Sequence, residues 1–175
     1  KEDPLAAQSM FYFKPPGAKG QALHQDNFYL KVEPGTCIAA WIAVDPADRE
    51  NGGMVIVPKT NHTEIQCPHT VDPAKSFTVD EVDVPEGFEV VPVDLESGDV
   101  LSFNGSVIHG SYPNTSADRF RRAFIGHYVG KSTVRLSEFY NPMYTHEGVL
   151  VKREGSPDSG PCGNAIKEYE LNEPH

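Results

Sequence analysis

The run GDVLSFNGSVIHGSYPN at residues 98–114 decides how this chain folds. Glu96-Ser97-Gly98-Asp99 is a tight turn, and the apolar residues Val100 to Phe103 that follow it read as a strand. A second apolar stretch, Val107-Ile108-His109-Gly110-Ser111, reads as another strand with a histidine at its end. Working outward, Phe120 to Val129 and Phe88 to Val93 are further strands on either side. Met54 to Val57 is a strand stopped by Pro58, and Thr36 to Val44 (TCIAAWIAV) is a nearly continuous apolar run, the mark of a buried strand. Ala22 to Asp26 is short and partly alternating. Gln8 to Lys14 (QSMFYFK) is a strand ended by Pro15-Pro16-Gly17. Residues 61–87 are polar with scattered prolines and read as a long insertion. After Val129 the pattern weakens into an extension over 130–175, in which residues 153–164 read as surface loop or tail.

Gly and Pro number 15 each and fall at short intervals, which favours short strands joined by turns over a helical bundle. There is no internal repeat, no low-complexity tract and no convincing long helix. The expected fold is an all-β core, a double-stranded β-helix (jelly roll, cupin-like) with few or no helices. It forms one domain over residues 1–175, with the core at about 8–129.

A chain of 175 residues with 38% hydrophobic residues has the size and the apolar content for one core. A net charge of -10 argues against a nucleic-acid or anionic-membrane partner, which would need clustered Lys and Arg. The basic cluster of Arg119, Arg121 and Arg122 is too small to reverse that. No apolar run approaches the roughly 20 residues of a membrane helix. No signal peptide is visible. The chain starts at Lys1 inside what reads as a folded domain, so further N-terminal material is expected and organelle targeting stays open. Cys37, Cys67 and Cys162 form neither a CxxC site nor an evident disulfide framework, which favours a reducing, cytoplasmic setting. Asn104-Gly-Ser and Asn114-Thr-Ser match the glycosylation pattern, but both fall close to the candidate site.

The chemistry starts at Leu23-His24-Gln25-Asp26. On a strand, side chains two apart share a face, so His24 and Asp26 should point together into the barrel. His109 follows 85 residues after His24. Two imidazoles and one carboxylate on one face of an ion make the facial triad of non-haem Fe(II) oxygenases, leaving positions for a bidentate 2-oxo acid and for dioxygen. An HxD pair alone is weak, and the second histidine is what gives it weight. His62, His69, His146 and His175 read as surface residues, and His127 as a satisfied, partly buried one.

Arg121 comes twelve residues after His109. An arginine fork can hold the far carboxylate of 2-oxoglutarate through two charge-assisted hydrogen bonds. Strand alternation lets only one of Arg121 and Arg122 face inward, and Arg121 is preferred. The other reading of these arginines is a solvated surface patch.

HQDN (24–27), AAWIAVDPADRENGGMVIVPKTNH (39–62), GDVLSFNGSVIHGSYPN (98–114) and FRRAF (120–124) together resemble the phytanoyl-CoA dioxygenase family, over roughly residues 8–129. The resemblance implies a double-stranded β-helix, an Fe(II) cofactor, 2-oxoglutarate as co-substrate and O2 as oxidant. By similarity, His24, Asp26 and His109 fall on the iron ligands and Arg121 on the 2-oxoglutarate anchor. Ser111 falls on the hydroxyl that assists the anchor, Trp41 on an aromatic beside the co-substrate, and Met10 on a further lining residue. Read by themselves, Trp41 and Met10 are ordinary core. Asn51-Gly52-Gly53 looks like the family's turn. Lys59-Thr60-Asn61-His62 departs from the Gly-Ser/Thr-His usual there.

The implied reaction is hydroxylation of a C–H bond of a small organic molecule, with release of succinate and CO2. The competing reading is a non-catalytic, cupin-like metal or small-molecule binding module. Asp26 argues against a halogenase, where chloride would need its position. Tyr12, Asn27, Phe28 and Tyr29 could line a substrate pocket. The negative net charge makes a poor host for coenzyme A phosphates, so an uncharged or cationic substrate is expected.

Overall fold

The computed structural model describes residues 2–157. Cys162, His175 and the tail beyond residue 157 lie outside the described residues. In chain order the strands are β1 (Pro4–Lys14), β2 (Gln21–His24), β3 (Ile38–Ala43), β4 (Met54–Ile56), β5 (His69–Thr70), β6 (Asp80–Glu81) and β7 (Val91–Val93). They continue as β8 (Val100–Asn104), β9 (His109–Ser111), β10 (Arg121–Gly130), β11 (Arg135–Leu136), β12 (Met143–Tyr144), β13 (Leu150–Val151) and β14 (Glu154–Gly155). One five-residue helix, α1 (Asp26–Leu30), is the only α-helix among the described residues.

Two sheets build the jelly roll. The larger runs β13-β12-β1-β10-β3-β8 and the smaller β2-β9-β4-β7. Within the larger sheet β1 pairs antiparallel with β10, and β10 with β3. Between the sheets lie Trp41, Ala43, Ala123 and Ile125 from the large sheet and Met54 from the small one. Alternation along β10 drives this packing: Arg121, Ala123, Ile125, His127 and Val129 are buried, whereas Phe124 between them is exposed.

Two expectations about the middle of the chain need correcting. Asp26 is not on the strand of His24. β2 stops at His24, Gln25 is extended, and Asp26 opens α1, which ends on left-handed Lys31. Also, His109 begins its strand rather than ending it. The polar stretch at 61–87 is more than a surface excursion. It forms the β5–β6 hairpin, and its Val82 is buried with Val57 and Ile108 on the outer side of the small sheet. That packing directs Ile108 outward and so turns its neighbour His109 inward.

The outer face of the large sheet is apolar as well. Phe11, Phe13, Ile38, Val100, Phe120 and Phe124 are exposed, and the Phe13 ring meets those of Phe11 and Phe120 at 5.6 and 5.9 Å.

Ile108 is fully buried. Ile108→Ala should therefore lose about 2–5 kcal/mol of stability in urea unfolding, through lost burial and an unfilled cavity. A loss under about 1 kcal/mol would mean that the 77–88 segment does not pack on this sheet.

Candidate metal and co-substrate site

The site lies at one end of the space between the sheets. His24 and His109 are direct cross-strand partners on β2 and β9, with ring centroids 4.2 Å apart. Asp26 reaches them from the first turn of α1, and its Oδ1 lies 3.6 Å from the Nε2 of each ring. The three ligand atoms fall within 4.8 Å of one another, and all three residues are buried.

The donor chemistry fits a divalent ion. Each imidazole donates from Nδ1 to a backbone carbonyl two residues back, His24 to Ala22 at 2.9 Å and His109 to Val107 at 3.0 Å. That hydrogen bond sets the tautomer and leaves the Nε2 lone pair aimed at the centre. Burial and the neighbouring His109 push the His24 pKa down to about 4, so this ligand is neutral at physiological pH. Burial opposes ionisation of Asp26, but His109, His127 and His24 around it hold its carboxyl well below the usual carboxylate range. Two neutral imidazoles and one carboxylate are the donor set of a facial triad.

Three supporting residues carry no expected role from the sequence. His127 on β10 donates from Nε2 to Asp26 Oδ2 at 3.1 Å, and its Nδ1 is buried without a partner. It stands outside the cluster of His24, Asp26 and His109, as expected, and it fixes the second oxygen of the Asp26 carboxylate. It stands in phase with Arg121, and the period of two along the strand is the signal that would have found it. Gln25, between the two ligands, is buried and points the other way. It donates to the carbonyls of Ser106 and Glu64 and accepts from Gln66, tying the loops that flank both histidines. Lys14 is in phase with Met10 and Tyr12 on β1, and its Nζ donates to Ser111 Oγ at 2.8 Å and to the Tyr112 carbonyl at 2.7 Å.

Beyond the Trp41 cluster, Arg121 is 3% exposed and donates from Nε to the Gly52 carbonyl, while its Nη1 is buried without a partner. Its guanidinium carbon lies 5.4 Å from the Trp41 ring centre, a cation–π contact that holds the plane of the fork. Burial lowers its pKa to about 10, which leaves it cationic. Arg122 points outward into a bidentate pair with Asp45, and Arg119 pairs with Asp48 and Glu50. Ser111 is buried beside the Lys14 ammonium, and Met10 and partly buried Tyr12 pack against the Trp41 cluster.

The remaining assignments divide. His62, His69 and His146 are exposed. Asn114 is fully buried with its amide donating to the Lys14 and Arg119 carbonyls, so it is no glycan acceptor in this fold. Cys37 is free and buried, whereas Cys67 is disulfide-bonded, a pairing that the cysteine spacing did not announce.

A jelly roll that brings two histidines and one aspartate within ligand distance, with a buried arginine on the same sheet as Trp41, is a double-stranded β-helix with a donor set that could hold a metal ion. Residues 1–123 match the family described as Phytanoyl-CoA dioxygenase, and the chain belongs to that family. It is 31% identical to Phytanoyl-CoA dioxygenase 1 of Oryza sativa subsp. japonica over 114 residues, covering 65% of this chain and 41% of the relative. It is 31% identical over 162 residues to Phytanoyl-CoA dioxygenase domain-containing protein 1 of Danio rerio, covering 89% of this chain and 52% of that protein. The chain thus spans about half the length of the curated relatives it matches. Among solved structures, EvdO2 from Micromonospora carbonacea var. aurantiaca, complexed with 2-oxoglutarate, superposes with a TM-score of 0.57. That likeness is at 22% identity, over 70% of this chain and 52% of EvdO2, and it concerns the fold.

His127→Phe should keep the fold and weaken Mn(II) binding about 10- to 100-fold, because the carboxylate ligand loses the partner that orients it. Titration followed by Mn(II) electron paramagnetic resonance reads this directly. Unchanged affinity would reduce His127 to a packing residue.

Proposed function

We propose that this chain is the catalytic core of a non-haem Fe(II) dioxygenase that consumes 2-oxoglutarate and hydroxylates a C–H bond of a small molecule, with release of succinate and CO2. The observation that carries the reading is a buried cluster of two histidines and one carboxylate together with a buried, inward guanidinium that has an unpartnered N–H. His24, Asp26 and His109 would hold the iron. Arg121, with Ser111, would hold the far carboxylate of 2-oxoglutarate, while Trp41 and Met10 line that path. The iron would supply the activation of dioxygen. The chain supplies orientation of the co-substrate, two imidazoles whose Nδ1–H groups are fixed by backbone carbonyls, and an apolar surround of Trp41, Ala123 and Ile125 that excludes water.

The relatives' names carry an acyl-CoA. For this chain we favour an uncharged or cationic substrate. The β5–β6 hairpin, which meets β2 through the Val82 amide and Leu23 carbonyl, carries Asp72, Asp80, Glu81 and Asp83. Those carboxylates repel a polyphosphate, in keeping with a net charge of -10.

Succinate release on incubation with Fe(II), 2-oxoglutarate and ascorbate tests the reaction class. His24→Ala and His109→Ala should abolish it. Arg121→Ala should keep metal binding and weaken 2-oxoglutarate binding by on the order of 2–5 kcal/mol, with Arg121→Lys a partial rescue. Arg122→Ala should leave that affinity unchanged, because its side chain faces solvent. Metal binding with no succinate from any preparation, and indifference to Arg121→Ala, would favour a non-catalytic binding module.

A further inference from the structure

A second buried basic side chain lies beside Arg121. Lys14 is 4% exposed and Arg121 is 3% exposed, and they are direct cross-strand partners on β1 and β10. Among the described residues neither has a carboxylate within ion-pair distance, although every other Arg–carboxylate pair of this strand region is satisfied on the surface. Like charges directly opposite on one sheet face are destabilising, and buried charges are ordinarily paired. Both side chains also keep donors in hand. The ammonium has three N–H donors and uses two, on Ser111 Oγ and the Tyr112 carbonyl, while Arg121 Nη1 has no partner.

The backbone is shaped around the pair. Gly52 has φ +89°, a conformation that side chains other than glycine's rarely adopt, and its carbonyl accepts from Arg121 Nε. A Cβ at Gly52 would stand 2.4 Å from Lys14 Cδ. The turn thus makes room for the lysine and aims the arginine together. A lysine serving only as a strut between Ser111 and Tyr112 would gain nothing from a cationic neighbour, whereas an anion between the two accounts for both charges.

We propose that Lys14 is a second cationic contact for the distal carboxylate of the 2-oxo acid, which is held between Lys14 and Arg121 with the Ser111 hydroxyl shared between them. The assignment rests on the 2-oxoglutarate reading above. It explains how a chain of net charge -10 selects a dianionic co-substrate: the two inward cations answer the one carboxylate that the metal does not take.

A consequence separates this role from a structural one. Burial, and then Arg121, lower the Lys14 pKa to about 7. The other titratable and charged groups near it are Tyr12 on its own strand, whose pKa burial raises, and Tyr112, whose ring lies under Arg49. The 51–53 turn offers Gly52 and β9 offers Ser111, which do not titrate, and the ionisable residue of β9 is His109, two residues before Ser111. An anion seated against the ammonium raises the lysine pKa in the complex. Binding is then strongest below the free pKa and weakens as pH rises through about 7, with one proton taken up per ligand above it.

The test is titration calorimetry of 2-oxoglutarate into the Mn(II)-loaded chain, in two buffers of different ionisation enthalpy. At pH 8 the wild type should take up about 0.9 proton per ligand, and its affinity should fall about tenfold from pH 6 to pH 8. Lys14→Met should bind at least about tenfold more weakly at pH 6, with no proton uptake and no pH dependence over this window, and Arg122→Ala should behave as wild type. The wild-type proton count needs no variant to fold. Tight binding without proton uptake, or a Lys14→Met chain with wild-type affinity, overturns the role of Lys14 and leaves the 2-oxoglutarate reading standing. No binding of 2-oxoglutarate by the wild type overturns both.

Discussion

The site hangs on the antiparallel pairing of β1 with β10, which runs from Pro4↔Gly130 to Lys14↔Arg121 with one bulge near Ala6. That register decides which side chains look inward. On β10 it presents Arg121 and His127, six residues apart on the same buried face. One strand therefore carries both ends of the cavity, the fork at depth and the imidazole that steadies the carboxylate ligand at the mouth. A slip of one residue would put Arg122 and Tyr128 inside and lose both ends together. The distance between the two ends is set by strand rise, which is stiff, and not by loops. This is how a small domain can keep a fixed span between a metal and a carboxylate anchor.

The mouth is organised by desolvation and by backbone. Each ligand imidazole is locked by a carbonyl of its own chain two residues back, and these locks need only the local strand geometry. The carboxylate is different, because it comes from a helix and needs a partner from another sheet, His127. Gln25 explains why the two ligands at 24 and 26 come from different elements yet meet. Its buried amide is bonded to three separate backbone groups and pins the point where strand changes to helix. The expense of burying polar groups is met here by hydrogen bonds that each have a second use in geometry.

Much of this was legible before any coordinates. The strands at 8–14, 36–44, 54–57, 100–103 and 120–129 are periodic enough to be placed within a few residues, and the all-β architecture follows from their punctuation. The meeting of His24, Asp26 and His109 is also legible, although the structure achieves it by a different route. The HxD pair was read as two residues on one strand face, whereas β2 ends at His24 and the aspartate arrives on a helical turn. An HxD spacing does not distinguish these, because both bring the first and third side chains to the same point. Lys14 and His127 were missed for a shared reason. Both obey the period of two through Met10 and through Arg121, but a lone charged or ionisable residue on a strand looks like surface or filler until the opposite strand is known. The role of the 77–88 segment was hidden by its polar composition, since only Val82, Val84 and Phe88 reach the small sheet. The Cys67 disulfide lacked any spacing signal.

The outer face of the large sheet carries a consequence for anyone handling this chain. Phe11, Phe13, Phe120 and Phe124 form a continuous aromatic strip beside Ile38 and Val100, on the side away from the cavity. A sheet greasy on both sides is built like the middle layer of a sandwich, yet here one side meets water. Apolar association through that strip is therefore the expected hazard of the isolated chain. Salts that strengthen apolar burial will favour that association. Polar replacements along that strip should make it easier to keep in solution while leaving the inward-facing residues of the same strands where they are, because the two faces of a strand are chemically independent.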